Sequence, residues 1–171
     1  HHFLLSALDC AYWDLFGKLE NKSFSGINQL ENKTLAESSI TISIAEIDEQ
    51  IRKIENSSWN KFKVKCNGFN LENTEKLLNL NRNIALDANA SFTKEDCLFI
   101  QETSGFQKLM YIEQPLEIGN FGILKNGNSV NWMADEDCQD ITFLEKLKPY
   151  YSSINIKLMK CGGLTPALEM I

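Results

Sequence analysis

Several features that would have placed this sequence quickly are missing from it. No window approaches the roughly 18 uncharged apolar residues of a membrane-spanning helix, so no membrane partner is expected. Histidine occurs only as His1 and His2, and the five cysteines (Cys10, Cys66, Cys97, Cys138 and Cys161) form no CxxC pair. That leaves no zinc pattern and favours free, mostly buried thiols in a reducing cytoplasm. Basic residues are outnumbered 17 to 23, for a net charge of −6, which argues against nucleic acid as a partner. No glycine-rich turn of the GxGxxG kind opens a helix, so the fingerprint of a dinucleotide-binding sheet is absent. Residues 1–5 run directly into an amphipathic pattern rather than a secretory signal. What remains is 171 residues with 43% apolar content, enough for one domain with a sizeable core.

The organisation is carried by a repeat. Leu4, Leu5, Leu8, Tyr12, Leu15, Phe16 and Leu19 recur mostly at three- and four-residue steps and predict an opening helix. After a break at Asn21 and Ser23 comes a β-branched alternation at 39–44, followed by five more strand-like segments at 61–66, 83–87, 109–113, 131–135 and 153–158. Segments suited to helices lie between them, among them 73–80, 94–104 and 141–147. Alternating strands and helices indicate βαβ units and a parallel sheet. The separations Ser43–Lys65, Lys65–Asp87, Glu113–Asp135 and Asp135–Lys157 are each 22 residues, and Asp87–Glu113 is 26. Each marked polar residue falls at or near the C-terminal end of its strand, the face on which a (β/α)8 barrel gathers its chemistry. The expected fold is therefore α/β: a TIM-type (β/α)8 barrel, present here as about six βα units. Six units do not close such a barrel, and Thr165–Ile171 begins a helix that stops partway. Residues 1–171 are accordingly expected to be one partial barrel domain, without the last two units and without a separate N-terminal capping domain.

Alternation along the strands sorts the polar residues. Phe62, Val64 and Cys66 share the face suited to covering helices, which leaves Lys63 and Lys65 on the interior face. Alone, a Lys-x-Lys strand reads as an exposed edge. In a covered parallel strand it would bury two ammonium groups, which demands carboxylate partners. Those partners are available: Asp87 and Asn89 lie opposite Ile84 and Leu86, Glu113 faces away from Ile112, and Asp135 alternates with Ala134. Any one acid reads as a loop cap or surface charge. Three in register from successive strands would repel one another without a cation between them, and three oxygen donors suit magnesium. Because strand-end register is loose, Asp135 and Glu136 both remain open as the third ligand. In the last segment, Asn155 and Lys157 alternate with Ile154, Ile156 and Leu158 and are expected inward.

These residues resemble the muconate-lactonizing subgroup of the enolase superfamily over nearly the whole chain. The likeness rests on SALDCAYWDLFGK near the start, KVK at 63–65, LDAN at 86–89, IEQP at 112–115, ADE at 134–136 and NIKLMKCGG at 155–163. The last stretch looks most like the dipeptide epimerases. The chain departs from the commoner ADES in having Asp137 and Cys138 after the acidic pair, so the hydrogen bonding there should differ.

The resemblance implies Asp87, Glu113 and Asp135 as magnesium ligands, and Lys65 and Lys157 as acid–base groups across the barrel mouth. Lys63 and Asn89 would bind substrate, with Lys63 neutralising its carboxylate. With a lysine on each side of an enediolate, one can remove the α-proton and the other return it, which inverts the centre. Arginine could not serve, since it does not deprotonate. The expected reaction is magnesium-dependent epimerisation of a small-molecule dipeptide by two-base 1,1-proton transfer. A muconate cycloisomerase or o-succinylbenzoate synthase type of reaction in the same site is the alternative, and a non-catalytic fragment is a third. Relatives often assemble, so a homo-oligomer is compatible with this reading.

Overall fold

The computed structural model describes residues 1–30, 36–127 and 130–171. In chain order the elements are α1 (His2–Glu20), α2 (Phe24–Ile27), β1 (Ile40–Ile42), α3 (Ile47–Glu55), β2 (Lys61–Lys65), α4 (Leu71–Leu78), β3 (Asn83–Asp87), α5 (Lys94–Glu102), β4 (Ile112–Glu113), β5 (Trp132–Ala134), α6 (Leu144–Leu147), β6 (Ser153–Ile154), α7 (Leu158–Cys161) and α8 (Leu164–Glu169). The chain divides into two compact units. The sheet unit comprises Ser38–Asp137 and Lys146–Asn155, and the helical unit comprises His1–Glu37, Cys138–Glu145 and Ile156–Ile171.

All six strands lie in the sheet unit. They pair in parallel and in sequence order, β1 to β6, as a barrel made of successive βα units requires. Phe62, Val64, Ile84, Leu86, Ile112 and Trp132 are buried along these strands, as are Ile54, Leu77 and Ile100 on α3, α4 and α5. The helices start where local chemistry permits. Asn70 accepts from the Asn73 N–H to open α4, and Thr93 with Asp96 forms a reciprocal capping box at α5. Gln50, buried on α3, donates from Nε2 to the carbonyls of Ser43 and Lys65, both at 3.0 Å. One amide thus ties the ends of the first two strands together.

Register fixes what faces what. Lys65 lies opposite Asp87, Asp87 opposite Glu113, Glu113 opposite Met133 and Met133 opposite Ser153. Because side chains alternate, these residues form one row across the sheet, and Asp135 and Asn155 continue the same face one step further.

The observed strands are shorter than the sequence suggests, most of all the last. β6 ends at Ile154, although the Asn155 N–H still donates to the Ala134 carbonyl at 2.7 Å. Lys157 keeps an extended backbone (φ −113°, ψ 118°) but caps α7 rather than continuing the strand, and it belongs to the helical unit. The segment 141–147 is a single 3-10 turn running into α6.

In the helical unit, α1 follows the predicted periodicity, with Leu4, Leu8, Leu15 and Leu19 exposed. Its Asp9 is the anchor for α8: Oδ2 accepts from the Thr165 N–H at 3.0 Å and Oδ1 from the Thr165 hydroxyl at 2.6 Å. The same hydroxyl accepts from Trp13 Nε1 at 2.8 Å. This approach leaves no room at Gly163, where an added Cβ would stand 2.6 Å from Asp9 Cβ, at a φ of +132°. Among the described residues no helix is long and apolar enough to cross a membrane.

The neighbouring glycines give an internal control. Gly162 also has positive φ (+105°), but its added Cβ meets only Pro166 Cγ, at 3.7 Å. Gly162→Ala should cost the backbone strain alone, about 1–3 kcal/mol, and Gly163→Ala measurably more. Urea denaturation of the two variants checks this, and equal losses would show that the Asp9 contact relaxes freely.

Candidate active site

The strand ends of the sheet unit carry a compact group of opposite charges. Asp87, Glu113 and Asp135 are 2%, 1% and 1% exposed, a degree of burial that ionised carboxylates tolerate only with partners. Lys63 and Lys65, two residues apart on β2, supply them. The Lys63 ammonium lies 2.9 Å from Glu113 Oε2 and 3.4 Å from Asp87 Oδ2. Lys65 reaches the same Asp87 oxygen at 3.1 Å and donates to Asn89 Oδ1 at 2.7 Å. Glu113 Oε1 accepts from Asn155 Nδ2 at 2.8 Å. Burial works to lower the Lys63 pKa, but its hydrogen bond and ion pairs with Glu113 and Asp87 outweigh that and hold it above the ordinary lysine value.

The structure therefore brings Lys63, Lys65, Asp87, Asn89 and Glu113 into direct contact and sets Asp135 on the same face at the end of the next strand. Glu136, the other acid at that strand end, enters the turn beyond β5. Lys157 is described with the helical unit. Asn89, at a left-handed φ of 43°, holds the Lys65 ammonium. The sequence placed Asn155 on the inner face without a role, and here it pairs with Glu113.

One further group was not anticipated. Gln114, fully buried and also at left-handed φ (37°), uses its whole side-chain amide. Nε2 donates to the Leu116 carbonyl and to Asp137 Oδ2, both at 2.8 Å, and Oε1 accepts the N–H groups of Asp135 and Asp137, both at 3.1 Å. Asp137 also accepts from the Tyr151 hydroxyl and the Gly119 N–H, each at 2.7 Å. Burial, then the bond to Asp137, pushes the Tyr151 phenol far up, so it stays a donor. The one available signal was the departure from ADES at Asp137.

Burial and then the Asp87 charge push the Cys66 thiol beside the cluster up to about 12. Cys97 is likewise pushed up to about 12 by burial.

Among the described residues, no three acidic, histidine or cysteine side chains already converge as a finished metal cage, and the lysines stand among the carboxylates. The donor chemistry nevertheless fits a hard divalent cation. Three carboxylates approach from adjacent strands, and the buried Asp87 Oδ1 accepts no hydrogen bond from the described residues. An orphaned buried acceptor costs about 1–3 kcal/mol, which coordination would offset.

Lys63→Met tests the charge balance directly. Removing the ammonium takes the ion pair from buried Glu113 and one of two from Asp87, so unfolding free energy in EDTA should fall by about 3–5 kcal/mol. A fall below about 1 kcal/mol in a urea titration would mean that solvent already screens the cluster.

No protein-family model matches the chain. Individual proteins do. The L-Ala-D/L-amino acid epimerase of a Maribacter species is 32% identical over 99% of this chain and 52% of its own length. An enolase family member from Agrobacterium tumefaciens with homology to dipeptide epimerases, solved with sodium and L-Ala-L-Glu, superposes with a TM-score of 0.83 at 31% identity, covering 97% of this chain and 52% of that one. The dipeptide epimerase of Enterococcus faecalis, complexed with Mg and L-Leu-L-Tyr, gives 0.78 at 27% identity, covering 97% and 51%. The chain thus spans about half the length of the curated relatives it matches. Its parallel, sequentially ordered sheet is similar to that of enolase-superfamily (β/α)8 barrels over about half their length, and among those proteins the chain resembles the dipeptide epimerases.

Proposed function

We propose that the protein to which this chain belongs epimerises dipeptides, inverting the carbon α to the terminal carboxylate by two-base proton transfer with magnesium. The observation that carries this reading is Asp87: a buried carboxylate with one oxygen shared by two lysine ammonium groups and the other without a hydrogen bond from the described residues. The names of the relatives, dipeptide epimerases solved with Mg and dipeptides among them, support the substrate class.

In this reading Asp87, Glu113 and Asp135 hold the ion. Bound magnesium would stabilise the negative charge that grows on the substrate carboxylate as its α-proton leaves. Lys63, already the most heavily ion-paired cation of the cluster, balances the same charge. Lys65 removes the proton from one face and must first shed its own proton; Asn89 keeps its Nζ aimed. Lys157 is proposed as the partner base for the opposite face. The extended backbone at Lys157 supports this.

Proton NMR of the whole protein with Mg2+ and a small dipeptide set in deuterated water tests the proposal. Loss of the C-terminal residue's α-proton signal, with appearance of the second diastereomer, is expected. Formation of an alkene or lactone instead would replace epimerisation with the eliminating or cyclising chemistry. No exchange with any dipeptide, despite bound Mg2+, would overturn the substrate class.

The lysines can be separated in the same assay. Lys65→Ala and Lys157→Ala should each lower epimerisation by about 10²–10⁴-fold, while each retains exchange with one diastereomer. If Lys65→Ala silences both diastereomers and Lys157→Ala silences neither, the symmetric two-base scheme fails.

A further inference from the structure

Three proposed ligands sit on three strands, and one residue touches the segment of each. Gln114 directly follows Glu113. Its backbone carbonyl accepts the Ala90 N–H at 2.7 Å, in the turn just beyond Asp87 and Asn89. Its side-chain Oε1 accepts the N–H of Asp135 itself. We propose that Gln114, braced by Asp137 and Tyr151, is the positioning residue that sets the spacing of the three carboxylates for a divalent cation; this rests on the metal reading of the cluster given above.

The argument is one of over-determination. A non-glycine residue at φ 37° is strained and persists only where its surroundings hold it. Here they do so at six points: the backbone N–H donates to Met133 O at 2.9 Å, the backbone carbonyl accepts from Ala90, and all four hydrogen-bonding positions of the amide are used. Asp137 fixes which way the amide points. Its Oδ2 accepts only from a donor, so Nε2 must face it, and Oε1 must then face the two N–H groups. Tyr151 and the Gly119 N–H in turn hold Asp137. The chain runs from a tyrosine before β6 to the backbone of Asp135 entirely through buried groups, where such networks are strongest. A smaller hydroxyl at position 137 could not accept from Gly119, Gln114 and Tyr151 together, so this brace belongs to the aspartate. Magnesium demands near-octahedral oxygens at about 2.0–2.1 Å. Small errors in strand-end spacing therefore weaken its binding, although the positioning residue never touches it.

The test uses the whole protein and its Mg2+ affinity measured by calorimetry, with thermal unfolding followed in parallel. Gln114→Met keeps the length and burial but removes the amide, and Tyr151→Phe removes only the brace. Gln114→Met should weaken Mg2+ binding about 10–100-fold, and Tyr151→Phe should weaken it in the same direction by less. Turnover lost at low Mg2+ should return at saturating Mg2+, which general damage to the fold would not allow. Folded variants that bind Mg2+ as tightly as the parent protein overturn the proposal. If Gln114→Met does not fold, unchanged affinity in Tyr151→Phe overturns it alone. A parent protein that binds no Mg2+ sinks the metal reading, and this inference with it, in a way that the variants cannot mimic.

Discussion

Everything distinctive in the sheet unit depends on one constraint: carboxylates buried at the ends of parallel strands must be neutralised where they stand. Asp87 and Glu113 are opposite one another in register, so their charges cannot move apart without breaking the sheet. Lys63 and Lys65 solve this locally, since two-residue spacing places both ammonium groups on the same face of the neighbouring strand. A slip of β2 by one residue would turn both lysines outward and leave Phe62, Val64 and Cys66 facing the acids. Hydrophobic packing and charge balance therefore select the same register, and each would be violated by the alternative.

That agreement explains why so much was legible. The β-branched and apolar positions of β2 and β3 show alternation in the sequence itself, and the recurring 22-residue interval is the length of one strand and its connection to the next. Lys65, Asp87 and Glu113 could be named because residues at equal phase in successive parallel strands fall into one row. α1 shows the limit of the same method: Leu4, Leu8, Leu15 and Leu19 predicted the helix correctly, but periodicity does not say what covers a face, and these side chains are exposed.

The illegible parts were those decided by tertiary hydrogen bonding. The dipeptide of Gln114 and Pro115 reads as a strand end followed by a turn, and nothing local announces a left-handed glutamine with its amide fully used. The early end of β6 has a similar cause: the run from Ile154 to Leu158 alternates well enough for a strand, but Lys160 and Cys161 return their N–H groups to the Lys157 carbonyl and close a helical turn. In contrast, Asp137 left a trace in the sequence as an acid where a small hydroxyl is commoner. Its three side-chain hydrogen bonds give that substitution a physical meaning.

The sequential strand order has an evolutionary consequence. The functional groups of the cluster arrive on successive strands, and among the described residues each strand pairs with those made just before and just after it. A change at one strand end can therefore be tried without rebuilding the others, so new chemistries can be sampled one module at a time. Gln114 is the exception to that independence. Because it joins three modules through one residue, its backbone reaching one and its side chain another, drift there would be felt at all of them at once, and selection should tolerate far less variation at this position than in the loops around it.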